Sequence, residues 1–221
     1  MLEQQTARDR IVAAALKLAA ERPWSDVTLL NIAQEAGLTL ADLRHEFATK
    51  SDILIAFARA IDDQVLRTAA GNGEAIASRD AIFDVVMSRF DALAPYKPAL
   101  RAMARSAVFE PALLVNLLAS QHWMLQAAGF GTDGLVGSLR LAGLASVYAS
   151  VFRIWLDDDD PGLARTMAAL DRRLRRGERI LAPIEDISFL VGRIAGVVTG
   201  RAKPAAATGG DPAPPAAGGF P

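Results

Sequence analysis

Apolar residues recur every three or four positions along most of this chain, and no segment alternates with the two-residue period of a β-strand. A helix should end where the sequence disfavours helical backbone dihedral angles. Arg22 is such a position, because it precedes Pro23. We therefore expect an all-α fold with helices of unequal length. The first predicted helix has about 17 residues and ends near Arg22, and later ones cover about 29–36, 40–46, 51–70, 111–128, 135–156, 161–181 and 184–199. Two more helices carry the apolar stripes at 82–93 and from 100 onward.

The bulk properties narrow the class of protein. The 221 residues are enough for one large or two small domains, and the absence of cysteine excludes disulfides and cysteine-ligated metals. Lys17 interrupts the first apolar run, which argues against a secretory signal. No apolar stretch reaches the roughly 18 uninterrupted residues of a membrane span, so we expect no transmembrane helix. We expect a cytoplasmic protein. The segment 201–221 is rich in Ala, Pro and Gly and predicts a disordered tail.

Two of the shortest predicted helices meet at a tight turn. Gly37 is the residue type that ends a helix in a left-handed conformation, and Thr39 is a good N-cap for the next helix. Asp42 stands three residues after Thr39 and completes a variant of the capping box. Ser51 should cap the long helix that follows. This order of helix lengths predicts a helix-turn-helix, whose second helix, 40–46, would lie in the major groove of DNA.

The front of the chain, at about residues 8–57, holds a set of residues in a fixed register: Thr28, Ile32, Ala33, Ala36, Gly37, Leu38, Thr39, Leu43, Phe47 and Lys50. On these residues it resembles the N-terminal domain of the TetR family of bacterial regulators. The resemblance implies a helix-turn-helix domain at 1–50 and a helical ligand-binding and dimerisation domain at 51–200.

The resemblance also implies which residues contact DNA. Thr28 and Lys50 match positions that hold phosphates. The implied DNA-binding residues are Thr28, Thr39, Leu40, Ala41, Arg44, His45 and Lys50. Arg44 stands where the family usually has Tyr, and it could contact a phosphate or a guanine. Glu46 replaces an aromatic residue or His, and it could accept from cytosine, face solvent or pair with Lys50.

The second domain of such regulators is a helical bundle around an apolar pocket. The resemblance implies a hydrophobic small-molecule effector, such as a fatty acyl or isoprenoid chain, and a homodimer formed through the helices at 135–156 and 161–181. The first of these helices is apolar around so much of its circumference that it should be buried on more than one side. The candidate pocket residues are Phe57, Phe90, Met103, Trp123, Tyr148 and Phe152.

The charge balance leaves a second interpretation open. The net charge is −1, whereas electrostatic attraction supplies much of the affinity for DNA. A second resemblance, to TetR-like lipid-binding proteins of ubiquinone biosynthesis, lies in the segment VYASVFRIWLDDDDPGLARTMAALDRRL. The alternative to an operator-binding regulator is therefore a lipid- or isoprenoid-binding protein with the same fold that does not read DNA.

Other features support neither catalysis nor a cofactor. The aspartates at 157–160 could bind a metal ion, but neighbours in sequence rarely converge on one ion, and Asp160 with Pro161 is a standard helix start. His45 and His122 have no second ligand or nucleophile at a suitable spacing. The helix at 184–199 could contact a membrane, although we expect it to pack on its own domain.

Overall fold

The structure is a computed structural model that describes residues 6–71, 77–105 and 111–179, without the side chains of 111–114. These ranges are helical with no strand, which confirms the all-α prediction. The predicted helix at 184–199 and the tail at 201–221 lie outside the described residues. The helices are α1 Ala7–Glu21, α2 Leu29–Glu35, α3 Leu40–Glu46, α4 Lys50–Gly71, α5 Arg79–Leu93, α6 Lys97–Arg105, α7 Pro111–Ala127, α8 Gly134–Leu156 and α9 at 164–179, with 3₁₀ turns at Trp24–Asp26 and Ala94–Tyr96.

The first three helices, called the head here, pack around a small apolar core. Ile11, Ile32 and Leu43 come from α1, α2 and α3 and are almost completely buried, as is Phe47 just after α3. Burial of such side chains stabilises the head by roughly 1.5–3 kcal/mol each. Ala36 and Gly37 close the turn between α2 and α3, with φ at Gly37 of 66°. A residue with a Cβ would be strained there, so the turn depends on glycine.

The remaining helices, α4 to α9, form the body, and α4 joins it to the head. One face of α4 is buried at Ile53, Phe57, Ile61 and Val65, and the helix packs against α1, α5 and α7. The cap of α4 differs from the prediction, because Thr49 rather than Ser51 accepts the amide of Asp52, at 3.1 Å. The domain boundary that we predicted at residue 50 coincides with the first residue of α4, and it stays a prediction.

One face of α8 is buried and the other is exposed. Leu144, Tyr148, Val151 and Trp155 are buried at helical spacing. On the opposite side, Leu135 is 73% exposed. The expectation that this helix is buried on more than one side is therefore not met within a single chain. Among the described helices, α8 has the length and composition of a possible membrane span, although the core helices of globular proteins share both properties.

The connection from α8 to α9 starts the last helix later than the sequence predicts. Pro161 lies in a turn, and the helix begins at 164 after Leu163, whose φ is 51°. Asp158 is 1% exposed and its carboxylate accepts both the amide of Thr166, at 2.9 Å, and its hydroxyl, at 2.7 Å. Asp160 instead accepts the amides of the turn, including that of Ala164 at 3.1 Å. The buried aspartate, two residues earlier than expected, therefore satisfies the free amide of Thr166.

Candidate nucleic-acid interface and interior site

The exposed side of α3 carries the residues that the sequence predicted to contact DNA. Leu43 is buried and anchors the helix, whereas Leu40, Ala41, Arg44 and His45 are exposed. Arg44 and His45 lie in the last turn of the helix. The arrangement gives α3 a short apolar start and a basic end, both open to a partner.

Thr39 and Asp42 hold the N-terminus of α3 through the predicted capping box. The amide of Asp42 donates to the Thr39 hydroxyl at 3.1 Å, and the Thr39 amide donates to the Asp42 carboxylate at 2.9 Å. The hydrogen bonds from the Thr39 hydroxyl and amide lower the pKa of Asp42, with help from His45 and Arg10. The carboxylate therefore stays ionised, and one of its oxygens accepts hydrogen bonds within the head.

Glu46 pairs with Arg8 of α1, a partner that the sequence did not suggest. The carboxylate lies 3.8 Å from the Arg8 guanidinium, which also donates to the Glu46 carbonyl and stacks over the Phe47 ring at 4.4 Å. A partner for Glu46 at Lys50, one of three predicted alternatives, is not what the structure shows. Arg8 thus compensates the charge of Glu46 at the end of α3.

Lys50 and Thr28 are both tied to the head by hydrogen bonds. The ammonium of Lys50 donates to the carbonyls of Trp24, at 2.9 Å, and Val27, at 2.8 Å. An ammonium has three donors, so one remains for a phosphate. The Thr28 hydroxyl is exposed and shares a capping box with Asn31. The role of Lys50 in binding phosphate stays a prediction, alongside a structural role that the sequence did not reveal.

The interior of the body contains a buried polar cluster that sequence reasoning missed. Arg89 of α5 forms an ion pair with Asp62 of α4, and its Nε donates to the Tyr148 hydroxyl at 3.0 Å. The Ser120 hydroxyl donates to Asp62 at 2.6 Å. Side chains of four helices therefore meet here, and we call them the polar cluster; its members are Asp62, Arg89, Ser120 and Tyr148, which are all buried. Gln121, the residue after Ser120 on α7, is also fully buried.

An aromatic cluster adjoins the polar cluster at Tyr148. The ring of Phe90 stacks on Tyr148 at 5.4 Å and on Trp155 at 5.3 Å between centroids, and Phe152 stacks on Tyr148 at 5.9 Å. Burial raises the pKa of the Tyr148 phenol more than the neighbouring Arg89 lowers it, so the hydroxyl stays neutral. Three predicted pocket residues, Phe90, Tyr148 and Phe152, thus come together in the interior.

The other predicted pocket residues lie elsewhere. Phe57 meets the ring edge of Tyr96 at 4.9 Å, beside a separate groove of about 460 Å³ between α1 and α4. Met103 is partly buried against the core. Trp123 is 50% exposed, so it does not belong to the aromatic cluster. His122 touches Trp123 with its ring edge at 5.6 Å.

A sequence signal for the polar cluster did exist. Arg89 stands three residues after Val86 and four before Leu93, on the apolar stripe of α5, and Asp62 stands three residues before the buried Val65. Two opposite charges on two apolar stripes predict a buried pair. In the chain connecting α8 to α9, the aspartates point to different partners, Asp158 to Thr166 and Asp159 to Arg101 at 2.7 Å. No group of three or more potential metal ligands converges within the described ranges.

Comparisons with known proteins agree with this architecture. The family described as bacterial regulatory proteins of the tetR family matches residues 11–57. A TetR transcriptional regulator from Nitrosomonas europaea ATCC 19718 is 26% identical, with a TM-score of 0.63 over 78% of this chain and 98% of the other. A TetR transcriptional regulator from Rhodococcus sp. RHA1 is 23% identical, with a TM-score of 0.56 over 79% and 97%.

A third structure, a tetR-family transcriptional regulator from Streptomyces coelicolor, shares the fold at 18% identity, with a TM-score of 0.55 over 86% of this chain and 88% of the other. No curated protein gives a significant match. The family match falls on the helix-turn-helix, and the similar structures extend through the body. Residues 11–57 therefore match the tetR family of bacterial regulatory proteins, and the fold of the chain is similar to that of TetR transcriptional regulators.

Proposed function

We propose that this protein is a cytoplasmic one-component regulator that binds palindromic operator DNA as a homodimer and is released by a small hydrophobic ligand. The observation that carries the proposal is the open face of α3, where Leu40, Ala41, Arg44 and His45 are exposed. A helix presented in this way fits the major groove, where Arg can contact guanine.

Local electrostatics supports DNA binding in spite of the net charge of −1. Asp42 is hydrogen-bonded to Thr39, and Glu46 is paired with Arg8. The two acids of α3 are therefore engaged within the head, whereas the side chains of Arg44 and His45 extend into solvent. Because counterion release depends on local phosphate contacts, a neutral chain with a basic reading face can still bind DNA.

The outer face of α8 supports a homodimer. Leu135 is 73% and Leu139 36% exposed, and Ala142, Gly143 and Ser146 continue the same face with small exposed residues. Small residues let a second helix approach closely, and Met167 of α9 adds a further exposed apolar side chain. A symmetric pair would place two α3 helices about 34 Å apart on a palindrome.

The dimer is tested by placing a charge on this face. We expect Leu139→Arg to convert a dimer into a monomer in analytical ultracentrifugation, since an arginine would be desolvated at the interface. Val115→Arg is the matched control, because Val115 is also an exposed apolar residue but lies on α7. Dissociation by both variants, or by neither, would contradict an interface on α8.

The interior site supports release by a hydrophobic ligand. The aromatic cluster lies between α5 and α8, and α7 packs against both. A ligand that separates these helices would move α8 and hence the distance between the two heads. Such an effect is an allosteric coupling between two sites. Its size is measured by the change in operator affinity that the ligand causes.

DNA binding is tested by an unbiased selection of bound sequences from random DNA with the full-length protein. We expect an enriched palindrome, bound with a steep salt dependence. Arg44→Ala should weaken binding to that sequence about tenfold or more, and Arg67→Ala, which removes an exposed arginine of α4, should not. Weak and uniform affinity for all fragments would overturn the proposal.

The second candidate is a lipid- or isoprenoid-binding protein of the same fold that does not read DNA. The observation in its favour is the engagement of the Lys50 ammonium by two backbone carbonyls, which limits its contact with phosphate. This candidate predicts no enriched DNA sequence, together with binding of lipid that the α3 variant Arg44→Ala leaves unchanged.

A further inference from the structure

Gln121 is fully buried on α7, and neither atom of its side-chain amide has a hydrogen-bonding partner among the described residues. A buried amide without a partner costs free energy, because it gives up hydrogen bonds to water. Native proteins rarely leave such a group unpaired, and exceptions often mark a functional site. Gln121, which follows Ser120 of the polar cluster on α7, is therefore a candidate for binding an external partner.

The charged members of the polar cluster, to which the neighbouring Ser120 belongs, are paired with each other. Asp62 and Arg89 form an ion pair, and Ser120, the residue next to Gln121, donates to Asp62 at 2.6 Å. Arg89 also donates to the Tyr148 hydroxyl. A further buried charge would find no free counter-charge here, so an ionised ligand would lose its hydration without compensation. The cluster favours an uncharged ligand group.

The aromatic cluster beside the polar cluster indicates the chemistry of the rest of the ligand. Tyr148 belongs to the polar cluster and also stacks on Phe90 and Phe152 in the aromatic cluster. An apolar chain beside these rings would be stabilised by burial of its surface. An amide offers both donors and an acceptor, so a hydroxyl or amide head complements it more fully than an ester or ether, which only accepts.

We propose that Gln121 binds the uncharged, hydrogen-bonding head of an apolar effector, whose chain packs beside the aromatic cluster. The inference rests on the proposed function, since it names the ligand class of the regulatory site. Long-chain primary alcohols and amides, including isoprenoid alcohols, belong to this class. Fatty-acid anions do not.

Calorimetric binding to the full-length protein tests the inference with three probes of equal chain length: decan-1-ol, 1-methoxydecane and decanoate. We expect decan-1-ol to bind about tenfold more tightly than the other two, as one additional hydrogen bond allows. Gln121→Met keeps the shape but removes the amide, so it should abolish the preference for the alcohol. Gln126→Met, which changes an exposed glutamine of the same helix, should preserve the preference.

The outcomes separate this inference from the proposed function. Equal binding of alcohol and ether, tighter binding of decanoate, or a preference that survives in Gln121→Met overturns the role of Gln121 and leaves an apolar effector pocket standing. Failure of all three probes to bind the unaltered protein overturns both the role of Gln121 and the hydrophobic effector.

Thermal unfolding of the ligand-free protein gives a second, independent measurement. Because no group in the described part of the chain is bonded to the Gln121 amide, we expect Gln121→Met to raise the unfolding temperature by about 3 °C. Gln121→Leu, which has a smaller apolar side chain, is measured in parallel. Its unfolding temperature should not lie below that of Gln126→Met. A fall of several degrees in both Gln121 variants would show that the amide is already bonded inside the protein, and would overturn the inference.

Discussion

The head and the body place opposite charges in very different surroundings. In the head, the side chains of Arg8 and Glu46 are 49% and 36% exposed, whereas in the body those of Arg89 and Asp62 are 5% and 11% exposed. Water screens the first pair, and removal of one partner leaves the other hydrated. In the body, removal of one partner leaves the other charge buried and unpaired among apolar groups. Charged residues of the head can therefore be substituted with little loss of stability, whereas the fold of the body depends on its buried ion pair.

The largest effect should come from breaking the buried pair. Arg89→Met leaves Asp62 without its counter-charge, and we expect the free energy of unfolding in urea to fall by about 3–5 kcal/mol. Replacing both partners, with Asp62→Leu added, should recover part of that loss. Arg67→Met, at an exposed site, serves as the control. A double variant less stable than Arg89→Met alone would contradict the buried-pair account.

A smaller effect, with a defined pH dependence, is expected at the start of α9. Burial tends to raise the pKa of Asp158, but hydrogen bonds from the Thr166 hydroxyl and amide outweigh it, and the carboxyl pKa lies below its usual value. A carboxyl of this kind stabilises the fold above its unfolded pKa of about 4, and the contribution is lost as pH falls through the folded pKa.

Thr166→Val removes the hydroxyl donor and should lower the free energy of unfolding at pH 7 by about 1 kcal/mol. Urea unfolding at a series of pH values should show the difference from the unaltered protein narrowing below about pH 4. Thr68→Val, at an exposed threonine of α4, should show no such pH trend. If the difference in unfolding free energy between the two proteins instead grew as the pH fell, the assigned direction of the Asp158 pKa shift would be wrong.

The cap of α3 should contribute a similar or slightly smaller amount within the head. Thr39→Ala removes the acceptor for the Asp42 amide and should cost about 1 kcal/mol in urea unfolding. Thr39→Ser retains a hydroxyl at the same position and should keep most of that stability. Equal losses in the two variants would mean that contacts of the threonine methyl group, rather than the cap, stabilise α3.

The smallest effect is expected for the exposed pair of the head. A double-mutant cycle on Arg8→Ala and Glu46→Gln should give a coupling free energy below about 1 kcal/mol, which decreases as salt is added. A coupling as large as the loss expected at Arg89 would remove the contrast between head and body. Under the proposed function, DNA binding measured on the same variants should change more than stability does, because Arg8 compensates an acid on α3.

Local chemistry made most of the head predictable. Gly37, Thr39 and Asp42 act within a few residues of one another, so their spacing already specifies the turn and the cap of α3. The same holds for the helix bounds of α1, α2 and α3. The errors at Ser51 and Asp160 were also local, because Thr49 and Asp158 offered alternative oxygens within two residues. Choosing between such neighbours depends on packing around the helix end.

The candidate interior site was predictable only in part. Aromatic residues at helical spacing identified Phe90, Tyr148 and Phe152, since a stripe of large apolar side chains is expected to face the core. The same criterion selected Trp123, which is half exposed, because periodicity does not say how completely a neighbouring helix covers a face. The positions of Asp62 and Arg89 on apolar stripes indicate buried charges, but the two residues are 27 positions apart, and their contact depends on how α4 and α5 pack.

The sequence by itself determined the helical class and the helix-turn-helix, since these follow from spacing and capping over short distances. Only the tertiary structure decided which charges compensate one another. Arg8 with Glu46 and Arg89 with Asp62 join different helices, as do Lys50 and the carbonyls of Trp24 and Val27. Electrostatic and hydrogen-bonding energies depend on separation and burial in space, and separation along the chain does not report either quantity.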